Sequence, residues 1–193
     1  LLQVLHDIQS YSLEKGYMML TGKISPSAYL NIVQVAVRIG KVSWALEFVS
    51  KYKDKIIDPN MKELYYDVAK GMCFFYQGDI DECLSLLPSH TADMLLHTNA
   101  KRLEIKCYYE LQSELLPYKI EAYKVFLSRA SKKLLSPDIR DFEGNFVNLL
   151  LQIINCPPGD AFKLDRLERR IREKTTVADR DWLLLKVAEL GRK

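Results

Sequence analysis

Apolar residues recur three and four positions apart along most of the chain, which is the spacing of one face of an α-helix. Val42, Ala45, Leu46 and Val49 show this pattern within a single segment. Short alternating runs of β-branched residues, which would indicate strands, are not concentrated anywhere. The pattern predicts an all-α protein of about ten helices.

The starts of several predicted helices carry recognisable capping residues. Ser25 and Ser136 each precede a proline, which is the arrangement of an N-cap followed by proline at the first helical position. Asp160 follows a Pro-Pro-Gly break and can cap the next helix in the same way. These residues predict helices that begin near positions 26, 137 and 161.

Two segments of the chain repeat the same pattern at an offset of 38 residues. Gly40 and Gly78 each lie between two helical patterns, where glycine can adopt the left-handed conformation that lets the chain turn back. A small residue follows five positions later in both, Ala45 and Cys83, and allows close approach of the second helix to the first. The repeat predicts a series of helix hairpins.

The hairpins predict a single helical-repeat domain over residues 1–193. The third repeat is expected to have an enlarged turn at Glu114 to Tyr118, which contains Pro117. The predicted divisions are a partial N-terminal repeat at 1–24, four repeats at 25–59, 60–90, 91–134 and 136–174, and a capping helix at 177–191.

The second hairpin resembles a tetratricopeptide repeat. The residues that match the small, aromatic and turn positions of that motif are Gly71, Phe74, Gly78, Asp79, Cys83 and Leu87. Cys83 stands where alanine is usual. The resemblance implies an α-α superhelix, a right-handed solenoid of tetratricopeptide-like hairpins.

Three further segments together carry a second resemblance: residues 22–33, residues 44–52 and the C-terminal residues 174–190. They resemble an uncharacterised bacterial family of tetratricopeptide-like proteins. This resemblance implies that the chain is the C-terminal part of a longer protein. It brings no reaction and no ligand with it.

In tetratricopeptide stacks, the first helices of the hairpins line a concave groove, and the resemblance implies such a groove here. Its aromatic and basic character is suited to a protein or peptide partner, including an acidic one. The alternative is that terminal helices or neighbouring subunits cover part of the groove. The nine predicted groove residues are Gln34, Arg38, Tyr65, Met72, Phe75, Tyr76, Arg102, Lys106 and Tyr109.

The sequence contains no recognisable catalytic or cofactor motif. Phosphate-binding glycine loops and the GxSxG and HExxH motifs are all missing. Asp79 and Asp81 could suggest acid–base chemistry, but both lie where a helix begins and where carboxylates are favourable. The sequence therefore predicts a non-enzyme without a cofactor.

Cysteine and histidine usage does not indicate a metal site. The three histidines are scattered along the chain, and the cysteines form no CxxC pair. We expect reduced, buried thiols and a cytoplasmic location. The four cysteines are Cys73, Cys83, Cys107 and Cys156.

The net charge of +3 lies entirely in residues 160–193, which hold 10 basic and 7 acidic residues against 18 of each elsewhere. This excess is too small and too mixed to predict nucleic-acid binding. Arginines and carboxylates interleave on one helix there, which is typical of a solvated, salt-bridged face. The longest apolar run, at 146–154, is too short for a membrane span.

The leading interpretation is a non-catalytic protein–protein interaction scaffold that uses a concave helical groove. One alternative is a helical-repeat RNA-binding module, for which Arg38, Arg102 and Lys106 would be the basic readers. A regulatory domain of a larger protein is another alternative, and self-association is a further possibility for partners.

Overall fold

The computed structural model describes residues 1–131 and 133–192. Within these ranges it contains ten α-helices and no strand, apart from two isolated β-bridges, so the all-α prediction is confirmed. None of these helices combines the length and the apolar sequence needed to span a bilayer. The helices are α1 (Leu2–Glu14), α2 (Pro26–Arg38), α3 (Val42–Tyr52), α4 (Lys62–Gln77), α5 (Ile80–Leu86), α6 (Met94–Glu110), α7 (Leu116–Arg129), α8 (Pro137–Ile154), α9 (Ala161–Glu173) and α10 (Arg180–Leu190), with a short 3-10 helix at Lys53–Lys55.

The chain divides into two compact units. Unit 1 comprises Leu1–Leu116 and contains α1 to α6. Unit 2 comprises Pro117–Lys193 and contains α8, α9, α10 and nearly all of α7. The boundary falls inside the predicted third repeat, after the first residue of α7.

The predicted helix starts are confirmed by their caps. Ser25 Oγ accepts from the Ala28 amide at 3.3 Å, and Ser136 Oγ accepts from the Ile139 amide at 3.3 Å. Asp160 Oδ1 accepts from the amide of the third residue after it at 3.1 Å. Each cap satisfies an amide that the helix itself leaves without a partner and stabilises it by about 1 kcal/mol.

The glycine turns of the first two hairpins also form as predicted. Gly40 and Gly78 have φ values of +80° and +90°, in the region that side chains with a Cβ rarely adopt. Gly78 ends α4, and its amide and that of Asp79 bond back to carbonyls in the last turn of the helix.

Two predicted boundaries were wrong by a few residues. The enlarged turn does not extend to Tyr118, because α7 begins at Leu116 and includes Pro117 in its first turn. Proline is tolerated there because the first amides of a helix have no intrahelical acceptor. The last helix begins at Arg180 because Asp179, just before it, has a left-handed φ of +46°.

In unit 1, consecutive helices pack together, and α4 also contacts both α2 and α6. The first helices of successive hairpins are therefore neighbours. Ala45 and Cys83, predicted to permit close packing, are fully buried, and a Cβ added at Gly71 would touch the Cys83 carbonyl at 3.5 Å. The superhelical arrangement of the hairpins stays a prediction.

In unit 2, α8, α9 and α10 pack against one another around buried apolar side chains. Phe146, Leu150 and Ile153 of α8 are fully buried, as are Ile171 and Leu183. These residues follow helical spacing on α8, so one face of that helix forms the core of the unit.

Candidate functional site

The nine predicted groove residues lie on α2, α4 and α6, the first helices of the hairpins in unit 1. Their exposure differs widely. Arg38 is exposed and Gln34, Tyr76 and Tyr109 are half-buried. The other five are buried: Tyr65, Met72, Phe75, Arg102 and Lys106.

A hydrogen-bond network joins α2 to α6 across this face. Gln34 Nε2 donates to Asn99 Oδ1 at 2.7 Å, and Arg102 Nη2 donates to the same oxygen at 2.9 Å. Asn99 Nδ2 in turn donates to the Leu95 carbonyl at 2.8 Å. Asn99 is buried and lies 65 positions after Gln34 in sequence, so their bond fixes the two helices relative to each other.

A cation–π contact joins α6 to α4. The Lys106 ammonium lies 4.5 Å from the centroid of the Phe75 ring and 5.4 Å from that of Tyr76. The two rings meet nearly edge to face, with centroids 5.5 Å apart. Lys106 is only 3% exposed, so the attraction is stronger than at the surface and is worth up to about 2 kcal/mol.

Tyr65 of α4 is hydrogen-bonded to the residue that caps α6. Its hydroxyl donates to Asp93 Oδ2 at 2.8 Å, while Asp93 Oδ1 accepts from the Leu96 amide at the start of α6. Burial, and then the bond to Asp93, raises the pKa of Tyr65 well above its usual value. The phenol therefore stays protonated and acts as a structural donor.

These contacts limit which of the predicted groove residues can bind a partner. Five of the nine predicted residues are buried, and four of these contact neighbouring side chains of the same face, because polar side chains removed from water need partners. Only the exposed and half-buried members remain within reach of a partner. We call them the rim residues: Gln34, Arg38, Tyr76 and Tyr109. Whether they contact a partner stays a prediction.

The residues with other candidate chemistry occupy structural positions. Asp81 lies in the first turn of α5 and Asp79 directly before that helix, as their structural interpretation predicts. All four cysteines are buried, and Cys83 Sγ lies 3.4 Å from Cys107 Sγ. Burial raises the pKa of the Cys73 thiol to about 12. That thiol is therefore protonated, and poorly nucleophilic, at neutral pH.

Residues 1–131 and 133–192 contain no group of three or more His, Cys, Asp or Glu side chains that could hold a metal ion.

Two important residues of this face, Asn99 and Asp93, were not predicted. The sequence does hold a sign of Asp93, because an aspartate before an apolar helical pattern is a typical N-cap. No comparable sequence pattern indicates the role of Asn99, since the two side chains that donate to it lie on different helices. Its role depends on the tertiary packing.

Comparison of the chain with protein-family models, curated proteins and solved structures finds no match. The resemblance to tetratricopeptide repeats stays a prediction, and the function is inferred from the contacts of this chain.

Proposed function

We propose that this chain is a non-catalytic scaffold that binds a protein or peptide through the first-helix face of unit 1. In this proposal the hairpins form a tetratricopeptide-like stack, and the rim residues touch the partner. The buried groove residues hold the helices in place beneath them.

The observation that supports the proposal is the bonded layer formed by α2, α4 and α6. Gln34, Asn99 and Arg102 join the first of these helices to the last, and Lys106 joins α4 to α6. A surface fixed in this way loses little conformational freedom when a partner binds, and such preorganisation favours affinity.

The chemistry of the rim favours a protein partner with acidic character. Tyr76 and Tyr109 offer aromatic area, and Arg38 offers an exposed guanidinium at the end of α2. Tyrosine and arginine are the residue types that contribute most to protein interfaces. RNA binding is less favoured, because Arg102 and Lys106, two of its three basic readers, are buried.

The experiment is an affinity capture from lysate with the full chain and a rim variant, Arg38→Glu with Tyr109→Ala. A matched control, Lys55→Glu with Tyr17→Ala, makes the same changes at exposed positions of unit 1 outside the groove residues. Circular dichroism establishes that both variants fold.

A protein captured by the wild type and the control, but lost from the rim variant, would support the proposal. Capture that is equal in all three chains would show that binding does not use the rim. Absence of any captured protein would contradict the scaffold function itself.

A further inference from the structure

The arginines of α9 are of two kinds. Arg169 bonds to Asp165, and Arg172 bonds to Glu168 at 2.6 Å, each four residues apart on the helix surface. The predicted salt-bridged face is confirmed for these two pairs. Their charges are neutralised within the helix itself.

A second set of cations on α9 lacks such neutralisation. Arg166 and Arg170 lie four residues apart on α9. Lys174 directly follows the helix, and its amide still bonds to the Arg170 carbonyl. All three are exposed. Among the described residues, none of them has a carboxylate at ion-pair distance. Arg170 Nη1 instead donates to a neutral amide oxygen, Gln152 Oε1, at 2.5 Å. We call these three residues the cation column.

The cation column carries a cost in stability. Like charges four residues apart on a helix repel by about 0.2–0.5 kcal/mol per pair. One such pair lies within α9, Arg166 with Arg170, and Lys174 adds a third cation just beyond the end of the helix. An acidic ligand would remove this repulsion and gain charge-assisted hydrogen bonds in its place.

An open groove of about 390 Å³ lies beside the column, between α8 and α9. Its apolar part consists of Leu151, Leu167 and Cys156, and Arg166 and Arg170 stand at its edge. The same two arginines also line a cavity of about 530 Å³ on α9, together with Phe162, which is 75% exposed. The other residues that line it are Arg169, Glu173 and Lys174. The face therefore combines cations with apolar surface.

We propose that the cation column and the α8–α9 groove bind an acidic helical segment of a partner protein. Four residues of a helix rise by about 6 Å, so carboxylates at i, i+4 and i+8 match the three cations along α9. An apolar residue of the same segment would contact Phe162, and others would enter the groove. The partner is thus an amphipathic helix with carboxylates beside its apolar face.

A nucleic acid fits this face less well. Asp165, Glu168 and Glu173 lie among the cations of the helix and would repel a continuous phosphate backbone. A peptide, by contrast, can carry carboxylates only at the positions that face the cation column and none elsewhere.

This surface belongs to unit 2 and shares no residue with the rim. It adds a second binding site to the proposed scaffold, and either site can fail in experiment while the other holds.

The test uses the full chain and a labelled, alanine-rich helical peptide with leucine followed by glutamate at i+4, i+8 and i+12. Binding is measured by fluorescence anisotropy at about 0.15 M salt, where charges farther apart than about 8 Å are screened. A peptide with glutamine in place of glutamate is the ligand control. Chemical-shift mapping should locate the bound peptide on α9 and the end of α8.

The column variant, Arg166→Gln with Arg170→Gln and Lys174→Gln, should bind the acidic peptide about tenfold more weakly. The matched control, Lys62→Gln with Lys124→Gln and Arg172→Gln, removes the same net charge from cations that already pair with carboxylates and line neither cavity. We expect this control to bind within about twofold of the wild type.

Three results would overturn the proposal. They are absence of saturable binding, equal loss in the column variant and the control, and tighter binding of a single-stranded oligonucleotide than of the acidic peptide. The first and second would leave the rim untouched, because its variants lie in unit 1.

Discussion

The first-helix face of unit 1 and the surface of α9 in unit 2 both carry cations, but they place them in opposite environments. Arg102 and Lys106 are buried, where they contact an amide and two aromatic rings. Arg166 and Lys174 are exposed, with no carboxylate partner among the described residues. A buried cation must be compensated inside the fold, whereas an exposed one remains available for a ligand.

This difference separates structural residues from recognition residues more clearly than residue type does. By composition alone, the buried face has the aromatic and basic content of a binding surface. Its contacts show that much of this content holds the helices together. Substitutions of the buried residues of the first-helix face should therefore reduce stability, whereas substitutions of the exposed cations of α9 should reduce binding.

The largest effect is expected for Phe75→Ala. Phe75 is 8% exposed and lies under Lys106, so truncation should lower the free energy of unfolding by about 3 kcal/mol. Phe162→Ala, at a 75% exposed position, should change it by less than about 0.5 kcal/mol. Urea unfolding of both variants measures the contrast. Equal effects would remove the distinction between the two faces.

The second largest effect is expected for Asn99→Ala. It should lower the free energy of unfolding by about 2 kcal/mol, because Gln34 and Arg102 would lose their shared acceptor oxygen. Asn99→Asp keeps the acceptor but replaces the donor to the Leu95 carbonyl with an oxygen, so it should also lower the free energy of unfolding. The control is Asn148→Ala at an exposed position of α8, with an expected change below about 0.5 kcal/mol. If Asn99→Ala unfolds at the same urea concentration as the wild type, the network is not what fixes α2 to α6.

A smaller, pH-dependent effect is expected from His97, another buried polar residue of α6. Burial, then the charges of Lys101 and His90, lowers its pKa in the folded state below the usual 6.5. The unfolded chain therefore binds the proton first, so this contribution to stability is present above pH 6.5 and is lost as the pH falls below it. His97→Gln should flatten the fall in urea midpoint on acidification. Parallel curves for the two proteins would contradict this role.

The smallest effect distinguishes the two kinds of arginine on α9. Arg166→Gln removes a like-charge neighbour of Arg170 and should raise stability by about 0.3 kcal/mol at low salt. Arg169→Gln removes the pair with Asp165 and should lower it by a similar amount. Both differences should shrink as salt screens the charges. Thermal unfolding at two salt concentrations checks the signs, and equal signs would argue against an uncompensated column.

Much of the helical architecture could be predicted from the sequence because its causes are local. Ser25, Ser136 and Asp160 cap helices through bonds three residues away, and Gly40 and Gly78 turn the chain within one residue. The errors at Pro117 and Asp179 are errors of helix ends, where short-range preferences are weakest.

The candidate site was less predictable because its character depends on distant contacts. Helical periodicity places Phe75 and Arg102 on the first helices, but it does not reveal that both are buried. The bond between Gln34 and Asn99 spans 65 residues and appears only when α2 and α6 are assembled. The cation column was not predicted either, because the interleaved arginines and carboxylates of this helix indicate a salt-bridged face, and the sequence does not show which arginines pair.

The most direct test of the account is hydroxyl-radical footprinting of the full chain, because it reports the exposure of individual side chains in solution. We predict that Tyr65 and Phe75, at 1% and 8% exposure, are strongly protected, whereas Phe162 is modified readily. Modification of Tyr65 and Phe75 as rapid as that of Phe162 would show that the first-helix face is an open groove. That result would contradict the division between a structural interior and exposed recognition residues.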